Sequence, residues 1–206
     1  MAKELFGTDG IRSVAGEFPL DARTLYWIGH TVGEHLARSG PAPRVLIGMD
    51  TRESGPEIAA TLAAGLERAG AVFAFAGIIT TPGVACLVRQ KSFAAGVVIS
   101  ASHNPFHDNG VKLFAASGMK FPDEIEERLE EQLTARMKQE PGAQSASLKA
   151  DASLDERIST RQPWRSANRE YIRKRSAAKS AASSPPVPPR ISKIVFFRSL
   201  GSLGIS

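Results

Sequence analysis

Cysteine and long apolar segments are both scarce in this sequence. The single cysteine, Cys86, rules out a disulfide within the chain and fits a reducing compartment, and we expect it to be buried as a small apolar residue. No apolar run approaches the ~20 residues that a membrane-spanning helix needs. The first residues also lack the charged-then-apolar pattern of a signal peptide. We therefore expect a cytoplasmic protein with no membrane partner.

Acidic residues are almost missing from the end of the chain, which makes the net charge of +5 uneven. Residues 157–206 contain 11 Lys and Arg but one acidic residue, whereas residues 1–156 contain 15 Lys and Arg against 20 Asp and Glu. The end also holds ten serines, the basic run Arg173-Lys174-Arg175 and the proline-rich segment 183–189. Such a segment cannot bury much apolar surface. We predict a disordered basic tail over residues 157–206, joined by a linker over residues 139–156.

Two interpretations of this tail have different consequences. A basic arm could bind an anionic partner, such as a nucleic acid or an acidic membrane surface, and the chain would then be a non-catalytic binding module. The tail could instead be non-native sequence, since an abrupt change in composition is what a shift of reading frame leaves. We favour the second interpretation because the change in composition is abrupt, so a nucleic-acid partner is not expected.

Over residues 1–138, the sequence pattern predicts helices and strands in alternation. Helical spacing of apolar residues, the N-cap residue Asp21 and prolines suited to a first helical turn indicate helices, while short continuous apolar runs indicate strands. This alternation predicts a single three-layer α/β domain with a mixed, largely parallel sheet. The predicted helices span residues 21–38, 56–68, 82–90 and 122–137, and the predicted strands span 45–49, 72–75, 96–100 and 111–114.

The segment from Ser100 to Phe114 carries the strongest candidate site. Ligands of α/β sheets bind beyond the carboxyl ends of the strands, and a predicted strand leads directly to Ser102 and His103. The following Asp-Asn-Gly at 108–110 predicts a turn that returns Lys112 on a strand near the serine. A hydroxyl nucleophile that transfers a phosphoryl group needs a partner for its proton and nearby cations. His103 and Lys112 are the local candidates.

A serine hydrolase is the competing interpretation of this segment. Adjacent residues such as Ser102 and His103 cannot easily form the nucleophile–base pair of a hydrolase. The Gly-x-Ser-x-Gly elbow is also absent from the sequence. Phosphoryl transfer is therefore the favoured chemistry.

Two further motifs offer contacts to a ligand. In residues 6–12, Phe-Gly-Thr-Asp-Gly-Ile-Arg, the glycines allow close backbone approach and Arg12 offers a planar fork suited to phosphate. Taken alone, this motif is better interpreted as a simple turn with a surface arginine. In residues 50–55, Asp-Thr-Arg-Glu-Ser-Gly, the side chains could contact a ligand, or Ser54 could cap the next helix. Arg52 could support the loop around Ser102 without touching the ligand. The sequence leaves these alternatives open.

Together with Thr80-Thr81-Pro82, these motifs resemble, in order and spacing, the first domain of the α-D-phosphohexomutases over about residues 3–138. Residues 99–105, Ile-Ser-Ala-Ser-His-Asn-Pro, have the form typical of the members that act on glucosamine phosphates. The resemblance implies that Ser102 is phosphorylated and donates its phosphoryl group to glucosamine 6-phosphate. The bisphosphate then turns round and returns its other phosphoryl group, which leaves glucosamine 1-phosphate for UDP-N-acetylglucosamine and cell-wall synthesis.

The same resemblance implies that cationic and hydrogen-bonding residues surround the phosphate. Lys112 would act in proton transfer at the reacting hydroxyl, and His103 would be a second catalytic neighbour of the serine. The sugar phosphate would be bound by Arg12, Thr8 and Asn104. One Mg²⁺ per complete active site would bind through the phosphate on Ser102. Ser13 departs from the family, in which a glycine usually follows the arginine.

The aspartate-rich loop that supplies the protein ligands of this cation in the family, Asp-Gly-Asp-Gly-Asp-Arg, is missing from the sequence. The family has four domains, and the resemblance ends near residue 155, before a second domain. We therefore expect a truncated or frame-shifted chain that is inactive alone. Because the sugar-recognition loop is also absent, the sequence leaves hexosamine or hexose specificity open, together with the oligomeric state.

Overall fold

A computed structural model of the chain describes residues 5–140 and 145–154, and in this part helices alternate with strands as predicted. Its helices are α1 (Ala22–Ala37), α2 (Gly55–Arg68), α3 (Thr81–Gln90) and α4 (Asp123–Arg136). Its strands are β1 (Ile11–Val14), β2 (Arg44–Met49), β3 (Val72–Ile78), β4 (Ala95–Ile99) and β5 (Asp108–Ala115). None of these helices is long and apolar enough to cross a membrane. The predictions for the basic tail and for residues 141–144, 155 and 156 of the linker lie outside the described residues.

The strands form one sheet in the order β1-β5-β4-β2-β3. β2 is parallel to both β3 and β4, whereas β5 is antiparallel to both β4 and β1. Four strands therefore run in one direction and β5 runs against them, which confirms the predicted mixed, largely parallel sheet. Because β5 runs in the opposite direction, its first residues lie beside the carboxyl end of β4.

Helices cover both faces of the sheet, so the fold has the predicted three layers. α1, α2 and α4 pack on one face, over a core that receives Ile47 from β2 and Val97 from β4. α3 packs on the other face, over a second core that receives Leu46 and Val98 from the same two strands. Since β2 and β4 are covered on both sides, nearly all their residues are buried, which explains their continuous apolar sequences.

β1 is a strand that the sequence pattern does not predict. It lies at one edge of the sheet and pairs only with β5 in the described part of the chain. Its four residues, Ile-Arg-Ser-Val, are too few and too polar to give the apolar pattern of a buried strand. Pairing with β5 holds this segment extended where the local sequence alone gives no signal.

The predicted turn at residues 108–110 is wrong, because Asp108, Asn109 and Gly110 begin β5. The chain turns earlier, where the Asp108 N–H donates to the Pro105 carbonyl (3.2 Å). Instead of forming a turn, Gly110 lets the backbones of the neighbouring segments approach β5 closely. A Cβ at that position would lie 2.9 Å from the carbonyl oxygen of Ser100.

α3 begins as the sequence predicts but does not bury its cysteine. The Thr80 side chain accepts the Gly83 N–H (3.2 Å), and Pro82 lies in the first turn. The helix buries a stripe that includes Val84 and Leu87. Cys86 lies beside that stripe and is only partly buried, so the expectation of a buried cysteine is wrong.

Residues 145–154 pack against the edge strand β3. Ala150 forms a parallel bridge with Phe75, and the Asp151 N–H donates to the Phe75 carbonyl (2.8 Å). Leu154 is buried in the core under α3. Residues 145–154, which were predicted to be part of a linker, therefore pack against the sheet.

α1 and α2 cross at two glycines. A Cβ on Gly65 would lie 2.0 Å from the Tyr26 carbonyl oxygen, and a Cβ on Gly29 would lie 2.1 Å from the Leu62 carbonyl oxygen. Glycine inside a helix costs about 1 kcal/mol relative to alanine. The two helix backbones approach so closely that this cost is offset by their packing.

Gly65→Ala will lower the free energy of unfolding by about 2–3 kcal/mol, because the added methyl group forces the backbones of α1 and α2 apart. Urea unfolding followed by circular dichroism measures the change. Glu67→Ala, an exposed substitution on the same helix, is the control and should change stability by less than about 0.5 kcal/mol. A Gly65→Ala protein as stable as the parent would contradict this account of the helix crossing.

Candidate active site

The candidate site lies at the end of the sheet where the central strands β2 and β4 have their carboxyl ends. Asp50 directly follows β2, and its N–H donates to the Ile99 carbonyl at the end of β4 (3.0 Å). Ser100 directly follows β4, and its N–H donates to the Gly110 carbonyl in β5 (2.9 Å). Residues 100–107, hereafter the serine loop, connect β4 to β5 at this end of the sheet. Ligands of α/β sheets bind at such an end.

Ser102 presents a free hydroxyl on this loop. The residue is exposed, and its φ of +57° is a left-handed conformation that is unfavourable for residues with a Cβ. Its backbone N–H and carbonyl are both hydrogen-bonded, whereas its Oγ has no hydrogen-bond partner among the described residues. The hydroxyl can therefore meet a ligand without first breaking a contact.

The guanidinium of Arg52 holds the serine loop through the backbone. Arg52 is only 6% exposed. Its terminal nitrogens donate to four carbonyls, those of Ser102 (3.2 Å), Asn104 (2.9 Å), Asp108 (2.7 Å) and Pro105. A buried guanidinium needs acceptors for its N–H groups, and these carbonyls supply them. Arg52 thus supports the loop, one of the roles that the sequence leaves open for residues 50–55.

Asp50 fixes the side chain of Arg52 in turn. Its Oδ2 accepts the Arg52 Nε–H (3.1 Å) and its Oδ1 accepts the Arg52 backbone N–H (2.9 Å). Oδ2 also accepts the Ser100 hydroxyl (2.9 Å). Asp50 and Ser100 both lie in candidate motifs of the sequence, but the motifs alone assign neither of them a role. The available signal was their position directly after β2 and β4.

Ser54 fixes the start of β5 instead of capping α2. It lies at the N-cap position, but its side chain makes no capping hydrogen bond. Its Oγ accepts the Asn109 Nδ2–H (2.9 Å), and Asn109 is fully buried. The alternative in which Ser54 caps the helix is therefore wrong.

A tight turn at residues 7–10 leads into β1. Gly7 and Gly10 exchange backbone hydrogen bonds (3.1 and 3.2 Å) on either side of Thr8 and Asp9. Gly10 has a φ of +86°, and a Cβ there would lie 2.3 Å from the Val111 carbonyl oxygen. Glycine is required for both reasons. The turn leaves Thr8 exposed.

Arg12 reaches the serine loop from β1. Its Nη1 donates to the Asn104 Oδ1 at 3.5 Å, and its Nη2 forms an ion pair with Asp9 (2.8 Å). Its Nε is buried and has no partner in the described part of the chain. The Arg12 side chain is nevertheless 25% exposed beside this loop, and a partly exposed guanidinium suits an anionic ligand.

Lys112 lies on the same sheet face as Arg12. Arg12 pairs with Gly110 across β1 and β5, and Lys112 is two residues further along β5. Side chains two residues apart in a strand share a face, and diagonal neighbours on adjacent strands are within reach of long side chains. Within residues 5–140 and 145–154, the Lys112 side chain forms no hydrogen bond or ion pair. The register therefore places two cationic side chains as diagonal neighbours on one face of the sheet, at the end where the serine loop lies.

The predicted site residues are brought together in part. Arg12 contacts Asn104, and Arg52 holds the backbones of both Asn104 and Ser102. His103 and Thr8 are exposed, and neither makes a side-chain hydrogen bond within the described residues. The geometry gives an exposed hydroxyl, a rigid backbone beneath it and cations to one side, which suits the binding and transfer of an anionic group.

A metal ion finds no complete ligand set in this part of the chain. The described residues contain no group of three or more His, Cys, Asp or Glu side chains that could hold one. Mg²⁺ prefers carboxylate, phosphate and water oxygens. The side chains present therefore do not by themselves fit the Mg²⁺ that the resemblance implies.

The described groups with shifted pKa values lie on α1 and beside α4. Burial lowers the pKa of His30 and of His35. Burial also acts to lower the pKa of Lys120, but its hydrogen bonds and ion pairs with Glu126 and Asp123 outweigh that effect and raise the pKa. These pKa shifts arise from the packing of α1 and α4 and involve none of the candidate site residues.

Glu130 of α4 anchors the segment that carries the turn at residues 7–10. Its two carboxylate oxygens accept the backbone N–H groups of Leu5 and Phe6, both at 3.1 Å. Glu130 is only 9% exposed, and Phe6 is buried beside it. The position of the turn therefore depends on a carboxylate of α4.

Glu130→Gln will replace one of the two acceptors with an amide donor and loosen this segment. The free energy of unfolding should fall by about 1–3 kcal/mol, the usual cost of an unsatisfied buried group. Hydrogen exchange of residues 5–14 should accelerate together with that loss. Glu131→Gln, at the exposed neighbouring position, should change neither quantity. Equal behaviour of the two variants would show that Glu130 does not anchor the segment.

Known proteins with similar sequences match the described domain. The model of the family "Phosphoglucomutase/phosphomannomutase, alpha/beta/alpha domain I" matches residues 3–140. A phosphoglucosamine mutase of Solibacter usitatus (strain Ellin6076) is 54% identical over 155 residues, which are 75% of this chain and 34% of the relative. One of Koribacter versatilis (strain Ellin345) is 52% identical over 143 residues, which are 69% of this chain and 31% of the relative.

Solved structures give the same result for the fold. A Thermus thermophilus protein assigned as a phosphomannomutase superposes with a TM-score of 0.58 at 31% identity, over 71% of this chain and 33% of the other. A phosphoglucomutase/phosphomannomutase family protein of Burkholderia thailandensis gives a TM-score of 0.52 at 27% identity, over 68% and 32% of the two chains. The chain spans about a third of the length of the curated relatives it matches. Because the family model covers most of the described residues, the chain belongs to the phosphoglucomutase/phosphomannomutase family, through its α/β/α domain I.

Proposed function

We propose that the chain supplies the phosphoryl-carrying domain of a mutase that interconverts glucosamine 6-phosphate and glucosamine 1-phosphate, with Ser102 as the carrier. One observation carries the proposal. The exposed Ser102 hydroxyl stands beyond the carboxyl end of a central strand, on a backbone held by the buried Arg52. The relatives named phosphoglucosamine mutase support the choice of substrate.

Phosphoryl transfer depends on positioning and on neutralising charge. In the proposed step, a hydroxyl oxygen of the sugar phosphate bonds to phosphorus while the bond from phosphorus to Ser102 Oγ breaks. The sugar hydroxyl loses its proton and Ser102 Oγ gains one. The bisphosphate then turns round and returns its other phosphoryl group to Ser102, so that the protein regains its starting state.

Arg12 and Lys112 would supply the positive charge near Ser102. A phosphoserine carries a charge of about −1.5 to −2, and two cationic groups near the serine loop would offset it. Lys112, which has no ion-pair partner within the described ranges, would also take part in moving the proton of the reacting hydroxyl. The planar guanidinium of Arg12, whose side chain is 25% exposed, would bind phosphate oxygens.

The remaining predicted residues would complete the site around the phosphate. His103, adjacent to Ser102 and exposed, would contact the transferring group. Asn104, already in contact with Arg12, and Thr8, exposed on the turn before it, would bind the sugar phosphate. Residues 1–138 would form the domain that carries all of these groups.

We further propose a cytoplasmic location, in which the product would serve the synthesis of UDP-N-acetylglucosamine. Mg²⁺ would bind through the phosphate on Ser102. The residues described do not themselves gather a cation site, so this chain alone should transfer phosphate poorly. No mutase turnover is expected from the 206-residue protein by itself.

Incubation of the protein with glucose 1,6-bisphosphate and Mg²⁺ will add one phosphoryl group to a minor fraction of the chains. Intact-mass spectrometry measures the fraction. Ser102→Ala should take up none, whereas Ser117→Ala, which removes an exposed serine outside the site, should match the parent. Uptake by Ser102→Ala equal to that of the parent would exclude Ser102 as the carrier. Complete phosphorylation of the parent would contradict the expected poor transfer.

Arg12→Met and Lys112→Met will each weaken the binding of glucosamine 6-phosphate about tenfold or more, because a charge-assisted hydrogen bond contributes ~1.5–3 kcal/mol. Isothermal titration calorimetry gives the affinities. Lys138→Met removes an exposed charge after α4 and should leave the affinity unchanged. If all four proteins bind alike, these two residues do not form the phosphate site.

A further inference from the structure

Both backbone polar groups of Ser102 are connected to one buried carboxylate. The Ser102 N–H donates to the Ser100 Oγ (3.1 Å), and that hydroxyl donates to the Asp50 Oδ2 (2.9 Å). The Ser102 carbonyl accepts from the Arg52 Nη2 (3.2 Å), and the Arg52 Nε donates to the same Asp50 oxygen (3.1 Å). The three residues beneath Ser102 are between 4% and 7% exposed.

We propose that Asp50 is a positioning residue for phosphoryl transfer, holding the Ser102 peptide in its left-handed conformation through Ser100 and Arg52. This inference rests on the proposed role of Ser102 as the phosphoryl carrier. Asp50 contacts the backbone of Ser102 only through its two intermediaries, so it acts on the nucleophile without touching the ligand.

The charge of Asp50 fixes the direction of every hydrogen bond in this network. An ionised carboxylate only accepts hydrogen bonds. The Ser100 hydroxyl must therefore give its single hydrogen to Asp50, and its lone pairs remain to accept the Ser102 N–H. The same carboxylate orients the Arg52 guanidinium toward the Ser102 carbonyl. A neutral amide at position 50 could donate as well as accept, and the network would lose this polarity.

The network opposes the relaxation of Ser102 to a more favourable backbone conformation. A left-handed φ is unfavourable for serine and persists only where the surroundings over-determine it. A change in φ at Ser102 would reorient its N–H relative to its carbonyl, and each of these groups has its own partner, Ser100 or Arg52. Relaxation would therefore break at least one of the two connections to Asp50 and displace the Oγ.

A matched pair of substitutions at Ser100 tests this role. Ser100→Ala removes the bridging hydroxyl and Ser100→Thr keeps it. Hydrogen exchange at the hydrogen-bonded amides of Ser102, Asn104 and Asp108, followed by NMR, reports on the loop. The initial rate of phosphoryl uptake from glucose 1,6-bisphosphate reports on the nucleophile.

Ser100→Ala and Asp50→Asn should accelerate this exchange about tenfold, the factor expected for one lost hydrogen bond. They should also slow phosphoryl uptake about 100-fold, as a misplaced reacting group does. Ser100→Thr should resemble the parent in both measurements. Ile47→Val, a buried apolar substitution in β2, should lower the melting temperature while leaving the loop exchange and the uptake rate unchanged.

The two measurements separate this proposal from the proposed function. If the parent takes up no phosphate on Ser102, the carrier role fails, and the exchange rates still decide whether Asp50 controls the loop. Ser100→Ala with parental exchange and uptake would overturn the inference. A lower melting temperature with parental uptake would show a purely structural network. If Asp50→Asn fails to fold, the comparison of Ser100→Ala with Ser100→Thr still tests the inference.

Discussion

Burial of the Asp50–Arg52 ion pair at the end of the sheet is the constraint on which the site depends. A charge removed from water is tolerated only when it is paired and its hydrogen-bonding groups are satisfied. Arg52 meets this requirement through the Asp50 carboxylate and through backbone carbonyls of the serine loop and of the first residue of β5. Because those carbonyls are needed by the charge, the loop cannot move away without leaving a buried guanidinium unsatisfied. One ion pair thus joins the ends of β2 and β4 to the start of β5.

The alternation of helices and strands could be predicted because its signals are local. β2 and β4 are covered on both faces and so are continuously apolar, and the cap at Asp21 is formed with the neighbouring Thr24. β1 could not be predicted, since its extended conformation depends on pairing with β5, about a hundred residues further along the chain. The connection of Ser100 to Asp50 spans 50 residues and has no local signature either.

The Asn-Gly sequence of β5 shows how a local signal can mislead. Asn109-Gly110 is a strong turn sequence because glycine accepts unusual backbone conformations. Here glycine serves close packing, since a Cβ on Gly110 would approach the Ser100 carbonyl to 2.9 Å and the Ile11 carbonyl to 3.0 Å. Gly10 has a similar role against Val111. The two glycines let β1 and the serine loop lie against β5, and this contact brings Arg12 to Asn104.

The division between backbone and side-chain contacts suits the phosphoryl-carrying role that we propose for Ser102. Arg52 and Ser100 hold Ser102 only through its N–H and carbonyl, so a change of charge on Oγ breaks none of their hydrogen bonds. A carrier must present the same backbone before and after transfer, because a loop that rearranged with each step would lose its alignment. In the proposed function, the cations that would hold the phosphate are therefore separate from the arginine that holds the loop. The terminal nitrogens of Arg52 donate to carbonyls, whereas the Arg12 side chain is 25% exposed and the Lys112 side chain makes no ion pair within the described residues. The buried Arg52 fixes the backbone of Ser102, and in the proposed function Arg12 and Lys112 would offset the charge of the phosphoryl group.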